Sequence, residues 1–260
     1  MILDGGFLIL NYLVELSDKR NAYVFSDLLS QGLSVKEFIF GLSQCEENDK
    51  IVFSPAKKLS KLEAESLPNS VYVFGGNVSE ETKEILSKKN IKYTNLISDQ
   101  IFAYKNAMLT AEGVLALIIG CNEKSIFESS ILILGGGRVA KAIVVLFGKL
   151  GFNVAIQTYN ENEYNESLIM SKKSFLKDEF SSEIGNFDII INTIPKQFLT
   201  EEILKKIKKE TVIFEVASIN CLNVELLPQF GFKYIPSPSL PQKYCSKSAA
   251  KIMVESILKG

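Results

Sequence analysis

The sequence predicts an α/β protein of two lobes, with a doubly wound parallel sheet in the C-terminal lobe and a smaller α/β layer in the N-terminal one. Three observations carry this. Short β-rich runs alternate with helix-like stretches along most of the 260 residues, the pattern that gives parallel sheets covered by helices. A nearly continuous apolar stretch at 109–119 separates two such series. The second series opens with ILILGGGRVA, in which an apolar strand, a glycine turn and a helix follow one another directly, the local signature of a Rossmann-type lobe.

In the first series, strands are expected at 22–25, 50–53, 71–74 and 91–95, and a helix at 7–15. Residues 79–89 read as a second helix: Ser79 is a good N-cap, acidic residues fill the first turn, and Lys88-Lys89 close it. The stretch 109–119 reads as a buried helix between the lobes, with Thr110 as its cap and Glu112 as a first-turn carboxylate. Strands follow at 131–134, 153–158, 187–192, 212–216 and 233–235, with a helix at 138–150 ended by Gly151. Residues 235–241 form a Pro-rich loop, and 246–258 a closing helix. The expected domains are residues 1–108 joined by 246–260, and residues 109–245, with a cleft between the lobes.

With 47% apolar residues, a chain of this length can bury one large core or two modest ones. The 29 basic and 30 acidic residues nearly cancel, which argues against a nucleic-acid or anionic-membrane partner. No run of apolar residues reaches the roughly 20 that span a bilayer, and MILDGGFLIL lacks the charged region and cleavage site of a signal peptide. Four cysteines without C-x-x-C spacing read as reduced, mostly buried thiols of a cytoplasmic protein. There is no histidine, which removes Ser-His-Asp and Cys-His catalysis and every His-containing metal site. No metal site is expected.

Gly135-Gly136-Gly137-Arg138-Val139-Ala140 fits the small-residue variant of G-x-G-x-x-G. Gly135 makes the tight turn, Gly137 lets a pyrophosphate approach, and the helix opened by Arg138 and Val139 presents free N–H groups and its dipole to the anion. The next strand ends Thr158-Tyr159-Asn160-Glu161. No carboxylate stands at its tip to hold a ribose diol, which leans towards NADP, with NAD left open and Glu161 as a diol ligand that could swing back. Asn192-Thr193-Ile194-Pro195 ends a buried strand at the ligand-binding edge and would wall a nicotinamide ribose; Ala217-Ser218 ends another.

In these stretches the chain resembles, nearly from end to end, the family of the dipicolinate synthase A subunit. Lys105–Gly113 is similar to its N-S-x-P-T-x-E-G segment, residues 134–140 to L-G-x-G-R-x-G, Asn192–Pro195 to N-T-I-P, and Ala217-Ser218 to its A-S. Pro238-Ser239-Leu240-Pro241 with Lys247 is similar to the closing P-G-L-P-G and A-P-K-T-A-G segment, and Leu3-Asp4-Gly5-Gly6 to the opening strand and Gly-Gly turn. The resemblance implies NADP-dependent oxidation of a dihydrodipicolinate-type intermediate to dipicolinate. It also implies a second, flavodoxin-like dipicolinate synthase subunit as partner, in the cytoplasm of a sporulating mother cell. A dicarboxylate substrate needs cations, of which Lys247 is the first candidate, ahead of Lys105, Lys196 and Lys243. Ser218, Asn106, Thr110 and Ser239 are candidates to hydrogen-bond substrate or ribose.

The chain departs from the family at ligand loops. Phe7 and Leu8 follow the Gly-Gly pair where the family has Asp and later Arg, and Leu109 replaces Pro. Ile219-Asn220-Cys221 replaces Pro-Gly-Gly, and Ser239, Gln242 and Cys245-Ser246 stand in the closing segment. An Arg common after the second strand is replaced near Tyr159. Two other readings stand beside this one. One is a shikimate-dehydrogenase-like enzyme; its relative glutamyl-tRNA reductase needs a nucleophilic Cys in a setting not found here. The other is a catalytically impaired, nucleotide-binding regulatory protein. A homo-oligomer is compatible with all three.

Overall fold

The computed structural model describes residues 11–121 and 123–259. It divides the chain into two compact units, one containing residues up to Asn106 together with those from Cys245 onwards, the other Ala107–Tyr244.

The first unit runs β1 (Asn11–Val14), α1 (Lys19–Ser30), β2 (Ser34–Glu37), β3 (Lys50–Val52), α2 (Lys61–Ser66), β4 (Tyr72–Gly75), α3 (Glu80–Lys88) and β5 (Lys92–Asn95). Its sheet has the order β2-β1-β3-β4-β5, and every neighbouring pair is parallel. Strand alternation sends Leu13, Ile51 and Val73 into one apolar layer and Val14, Val52 and Phe74 into the other, so helices cover both faces. The expected strand at 22–25 lies inside α1, and residues 11–14 of the expected helix at 7–15 are β1. Both short apolar runs are ambiguous in period, and packing decides them: α1 buries Val24 and Leu28 at a four-residue spacing. Ser79 caps α3 as expected, accepting from Thr82 N. The Leu3–Gly6 segment with Phe7 and Leu8 lies outside the described residues.

The helix expected at 109–119 is longer. α4 (Gln100–Cys121) starts at Asp99, whose carboxylate accepts from Ile101 N and Phe102 N. Thr110 is therefore a mid-helix residue, not a cap. By length and apolar composition α4 would span a bilayer, contrary to the expectation from apolar runs, but 44% of that window is buried inside the protein. Phe102 packs in a core cluster of the first unit, and Ala107, Ala111, Val114 and Ile118 in one of the second.

The second unit contains β6 (Ser130–Leu134), α5 (Arg138–Lys149), β7 (Asn153–Thr158), α6 (Glu161–Met170), β8 (Lys173–Leu176), β9 (Ile189–Asn192), α7 (Glu201–Leu204), β10 (Val212–Glu215), β11 (Lys233–Pro236) and α8 (Leu240–Tyr244). α8 takes the end of the expected Pro-rich loop. α9 (Ser246–Ile257) packs in the first unit through Ala250, Met253, Val254 and Ile257. The second sheet has the order β11-β10-β9-β6-β7-β8 and is parallel throughout. Counted from β6, this is the Rossmann order 3-2-1-4-5-6, with its reversal between β6 and β9. Ile131 and Ile133 pack under α5; Leu132 and Leu134 pack on the opposite face. Gly113 has a packing role, since a Cβ there would lie 2.7 Å from Leu240 Cβ, so only glycine admits α8 against α4. Of the cysteines only Cys221 is buried; the other three are partly exposed, so the expectation of mostly buried thiols is corrected.

At the carboxyl edge of the first sheet, beside its own reversal between β1 and β3, Asp18 caps α1 and holds Arg20. Arg20 Nη2 lies 2.5 Å from Asp18 Oδ2 and donates to Ser54 Oγ at 2.8 Å. Burial raises the Asp18 pKa, but the Arg20 and Ser54 hydrogen bonds more than offset this and leave it below its ordinary value. A carboxylate lowered in the folded state contributes stability above its unfolded pKa of about 3.9 and loses it as pH falls through the folded value. Asp18→Asn should therefore lower the urea midpoint at pH 7 and narrow its gap to wild type by pH 3. An equal gap at both pH values would show that the cap's charge contributes nothing.

Candidate dinucleotide site

Gly135 follows β6 with φ at 114°, in the left-handed region that favours glycine. Its N–H donates to Gln157 O at 2.9 Å, and a Cβ on it would lie 2.5 Å from Thr193 Oγ1 and 3.0 Å from Ile194 Cγ1. Thr193 in turn donates to Leu134 O from both N (3.0 Å) and Oγ1 (2.8 Å). The glycine turn and the Asn-Thr-Ile-Pro turn, 59 residues apart at Leu134 and Thr193, thus form one surface at the strand-order reversal.

Gly137 is the N-cap of α5 and makes no side-chain cap. Nothing lies within 4 Å of the position its Cβ would occupy. The start of α5 thus leaves room beside Gly137 for a group to approach the helix N-terminus, as pyrophosphate binding there requires. Arg138 begins the helix with its side chain partly exposed, and Val139 packs on the adjoining core. These features fit a dinucleotide.

Asn192 and Glu215 organise the rest of the edge. Asn192 Oδ1 accepts from Ile194 N at 3.1 Å, and its Nδ2 donates to Ile194 O at 3.0 Å and Glu215 Oε1 at 2.6 Å. Glu215, only 2% exposed, also accepts from Ala217 N (3.1 Å), Cys221 N (2.8 Å) and the Tyr234 hydroxyl (3.0 Å). Burial and then the Glu215 charge push the Cys221 thiol and the Tyr234 phenol well above their usual ranges. Cys221 is consequently a structural thiol and no nucleophile.

The remaining expected residues fall in different settings. Pro195 is exposed at the end of its turn, and Ser218 is exposed beyond Ala217. Tyr159 is 40% exposed and stands edge-on to Phe198, ring centroids 6.0 Å apart. Thr158 is fully buried, its hydroxyl turned to Phe175 O at 3.5 Å, so its side chain faces β8 and not the glycine turn. Thr110 is buried within α4. Ser239 takes φ 56° and its carbonyl accepts from Gln242 N and Lys243 N at the start of α8. Asn106 closes the first unit's share of α4. Lys247 is exposed on the first turn of α9, in a groove that it shares with Tyr23, Asp27 and Lys251. Among the described residues no cluster of three metal-ligating side chains occurs.

Three groups escape a reading of the sequence. Glu215 sits inside FEVAS, where an acidic residue looks like an ordinary strand end; only its burial reveals the role. Glu163 lies past the strand tip, in the first turn of α6. Asp18 and Arg20 stand after β1, where only their burial and mutual hydrogen bonds reveal the pair.

The strand order, the glycine turn and the clasped Asn-Thr-Ile-Pro turn define a Rossmann-type fold. In sequence the chain is 26% identical to the A subunit of dipicolinate synthase of Bacillus subtilis over 193 residues, 74% of this chain and 65% of the relative's length. The sequence match thus spans just under two thirds of that relative. No family model matches the chain. The crystal structure of the dipicolinate synthase A chain from Bacillus subtilis superposes with a TM-score of 0.83 at 21% identity, covering 97% of this chain and 96% of that one. A D-isomer specific 2-hydroxyacid dehydrogenase from Lactobacillus delbrueckii ssp. bulgaricus, in its NAD-complexed form, gives 0.57 at 11% identity, covering 96% and 95%. The chain resembles the dipicolinate synthase A protein in both sequence and fold.

Glu215→Leu leaves the buried Ala217 and Cys221 N–H groups without their acceptor and takes one acceptor each from Asn192 Nδ2 and the Tyr234 hydroxyl, and should destabilise the protein by about 3 kcal/mol. Glu215→Gln keeps a carbonyl oxygen and should cost clearly less. Equal unfolding free energies for the two variants in denaturant titrations would contradict the network's role.

Proposed function

We propose that the chain is a nicotinamide-dinucleotide-dependent oxidoreductase like the dipicolinate synthase A protein, oxidising a dihydrodipicolinate-type dicarboxylate to dipicolinate. The single observation behind this reading is the glycine turn held against the Asn-Thr-Ile-Pro turn at the strand-order reversal. In this reading Gly137, Arg138 and the opening N–H groups of α5 hold the pyrophosphate. Tyr159 and Phe198 flank the adenine side. Asn192, Thr193, Ile194, Pro195 and Ala217 wall the nicotinamide ribose. Ser218, exposed at the same sheet edge, is placed to hydrogen-bond substrate, and Lys247 is the cation assigned to a substrate carboxylate. Asn106, Thr110 and Ser239 keep supporting roles, Thr110 through its place in α4 and not as a cap.

Held by Gly137, Arg138 and the opening N–H groups of α5, a bound dinucleotide would supply the hydride acceptor for oxidation of the dihydropyridine ring. Loss of one proton to solvent completes aromatisation. The chain's own part is position and electrostatics: α5 fixes the anion, and the Glu215 network keeps Asn192 and Ala217 at a set distance from it. A flavodoxin-like partner protein, the second component of dipicolinate synthase, would supply or channel the substrate in the cytoplasm of a sporulating cell.

Calorimetric titration with NADH and NADPH, followed by a dipicolinate-formation assay with and without the flavodoxin-like partner, tests this. At least one nucleotide should bind, Gly137→Val should weaken that binding about 10-fold or more, and dipicolinate should form. Binding without turnover under either condition would favour a dinucleotide-binding regulatory protein. No binding of either nucleotide would overturn the oxidoreductase reading.

A further inference from the structure

We infer that Glu163 is the adenosine-ribose ligand and that it makes the protein selective for NAD over NADP; this rests on the dinucleotide reading above. Rossmann proteins separate the two cofactors with the group that faces the ribose 2′ position. A carboxylate bonds the free diol and repels a 2′-phosphate. The end of β7 carries no such group, because Thr158 is buried and turned to β8 and Tyr159 packs on Phe198. The carboxylate comes instead from the next element. Asn160 caps α6, its Oδ1 accepting from Glu163 N at 2.9 Å, and this sets Glu163 in the first turn. From there its side chain reaches back over the glycine turn: a Cβ on Gly136 would lie 2.7 Å from Glu163 Cδ and 2.8 Å from its Cβ.

Position and charge agree on the role. Gly136 is the middle residue of the turn, between Gly135, tied to β7 through Gln157 O, and Gly137, which opens α5. A carboxylate over Gly136 is therefore on the β7 side of the pyrophosphate position, where the adenosine ribose crosses the sheet edge. Of the other carboxylates of α6, Glu166 pairs with Lys141 of α5, and Glu161, at the start of the helix, is exposed. No Arg follows β7 before α6 to take a 2′-phosphate. The glycine at 136 is also explained, because any side chain there would displace the Glu163 carboxylate.

The test is a pair of binding titrations, NADH and NADPH, on the full chain as wild type, Glu163→Gln and Gly136→Ala, with circular dichroism to confirm each fold. Wild type should bind NADH about 10-fold or more tighter than NADPH. Glu163→Gln should weaken NADH about 10-fold and leave NADPH unchanged or tighter, as expected for loss of a charged hydrogen-bond acceptor. Gly136→Ala should shift the ratio in the same direction. Tighter binding of NADPH by wild type, or an unchanged ratio in Glu163→Gln, would overturn the assignment of Glu163 while leaving a dinucleotide site in place. Absence of binding by either nucleotide would overturn both.

Discussion

A single buried carboxylate holds the working edge of the second unit together. Glu215 ends β10 and receives four donors from β9, its own following loop and β11. A charge this deeply buried is tolerated only when its lone pairs are filled. The loops therefore have little freedom: Asn192, Ala217, Cys221 and Tyr234 must all stay within hydrogen-bond reach of one side chain. The Asn-Thr-Ile-Pro turn inherits its position from this constraint, and through Thr193 it closes on Leu134 and the glycine turn. Burial, and then the same charge, raise the Cys221 and Tyr234 pKa values.

The candidate dinucleotide site stands at a helix start without a side-chain cap. α5 has no side-chain cap because its N-cap is Gly137, and capping there would block the groups that a pyrophosphate needs. Stability forgone at the cap, typically about 1 kcal/mol for a good capping residue, is offset by burial of α5 through Ala140, Ile143, Val144 and Phe147. Asp18, Ser79 and Asn160 cap α1, α3 and α6 with side chains. α5, α7 and α9 start without a side-chain cap, and of these α5 follows the glycine turn.

Strand-turn-helix units with long, uniform apolar runs are legible in the sequence. Ile131–Leu134, Asn153–Thr158 and the helix from Arg138 read correctly because hydrophobic period and turn residues agree there. The segments that mislead are short or mixed. Residues 22–25 are apolar and β-prone in isolation, yet Val24 and Leu28 pack as one helix face against the first sheet. Thr110 and Glu112 imitate a helix start inside α4, whose true cap is Asp99. Of the candidate site, the glycine and Asn-Thr-Ile-Pro turns are readable as motifs. Their contact is not, because it joins residues far apart in the chain, and neither are Glu215 and Glu163, whose roles exist only in three dimensions. The resemblance to dipicolinate synthase is legible from several short motifs in one order, and the matching fold agrees with it.

The central claim is that the turn at 135–137 and the turn at 192–195 are two sides of one dinucleotide site. Hydrogen exchange followed by mass spectrometry, with and without saturating dinucleotide, tests it most directly. The expected result is added protection in peptides covering 135–141 and 192–197, with little change in β2 and α3 of the first unit. Protection absent from either of the first two segments while the nucleotide is demonstrably bound would contradict the account.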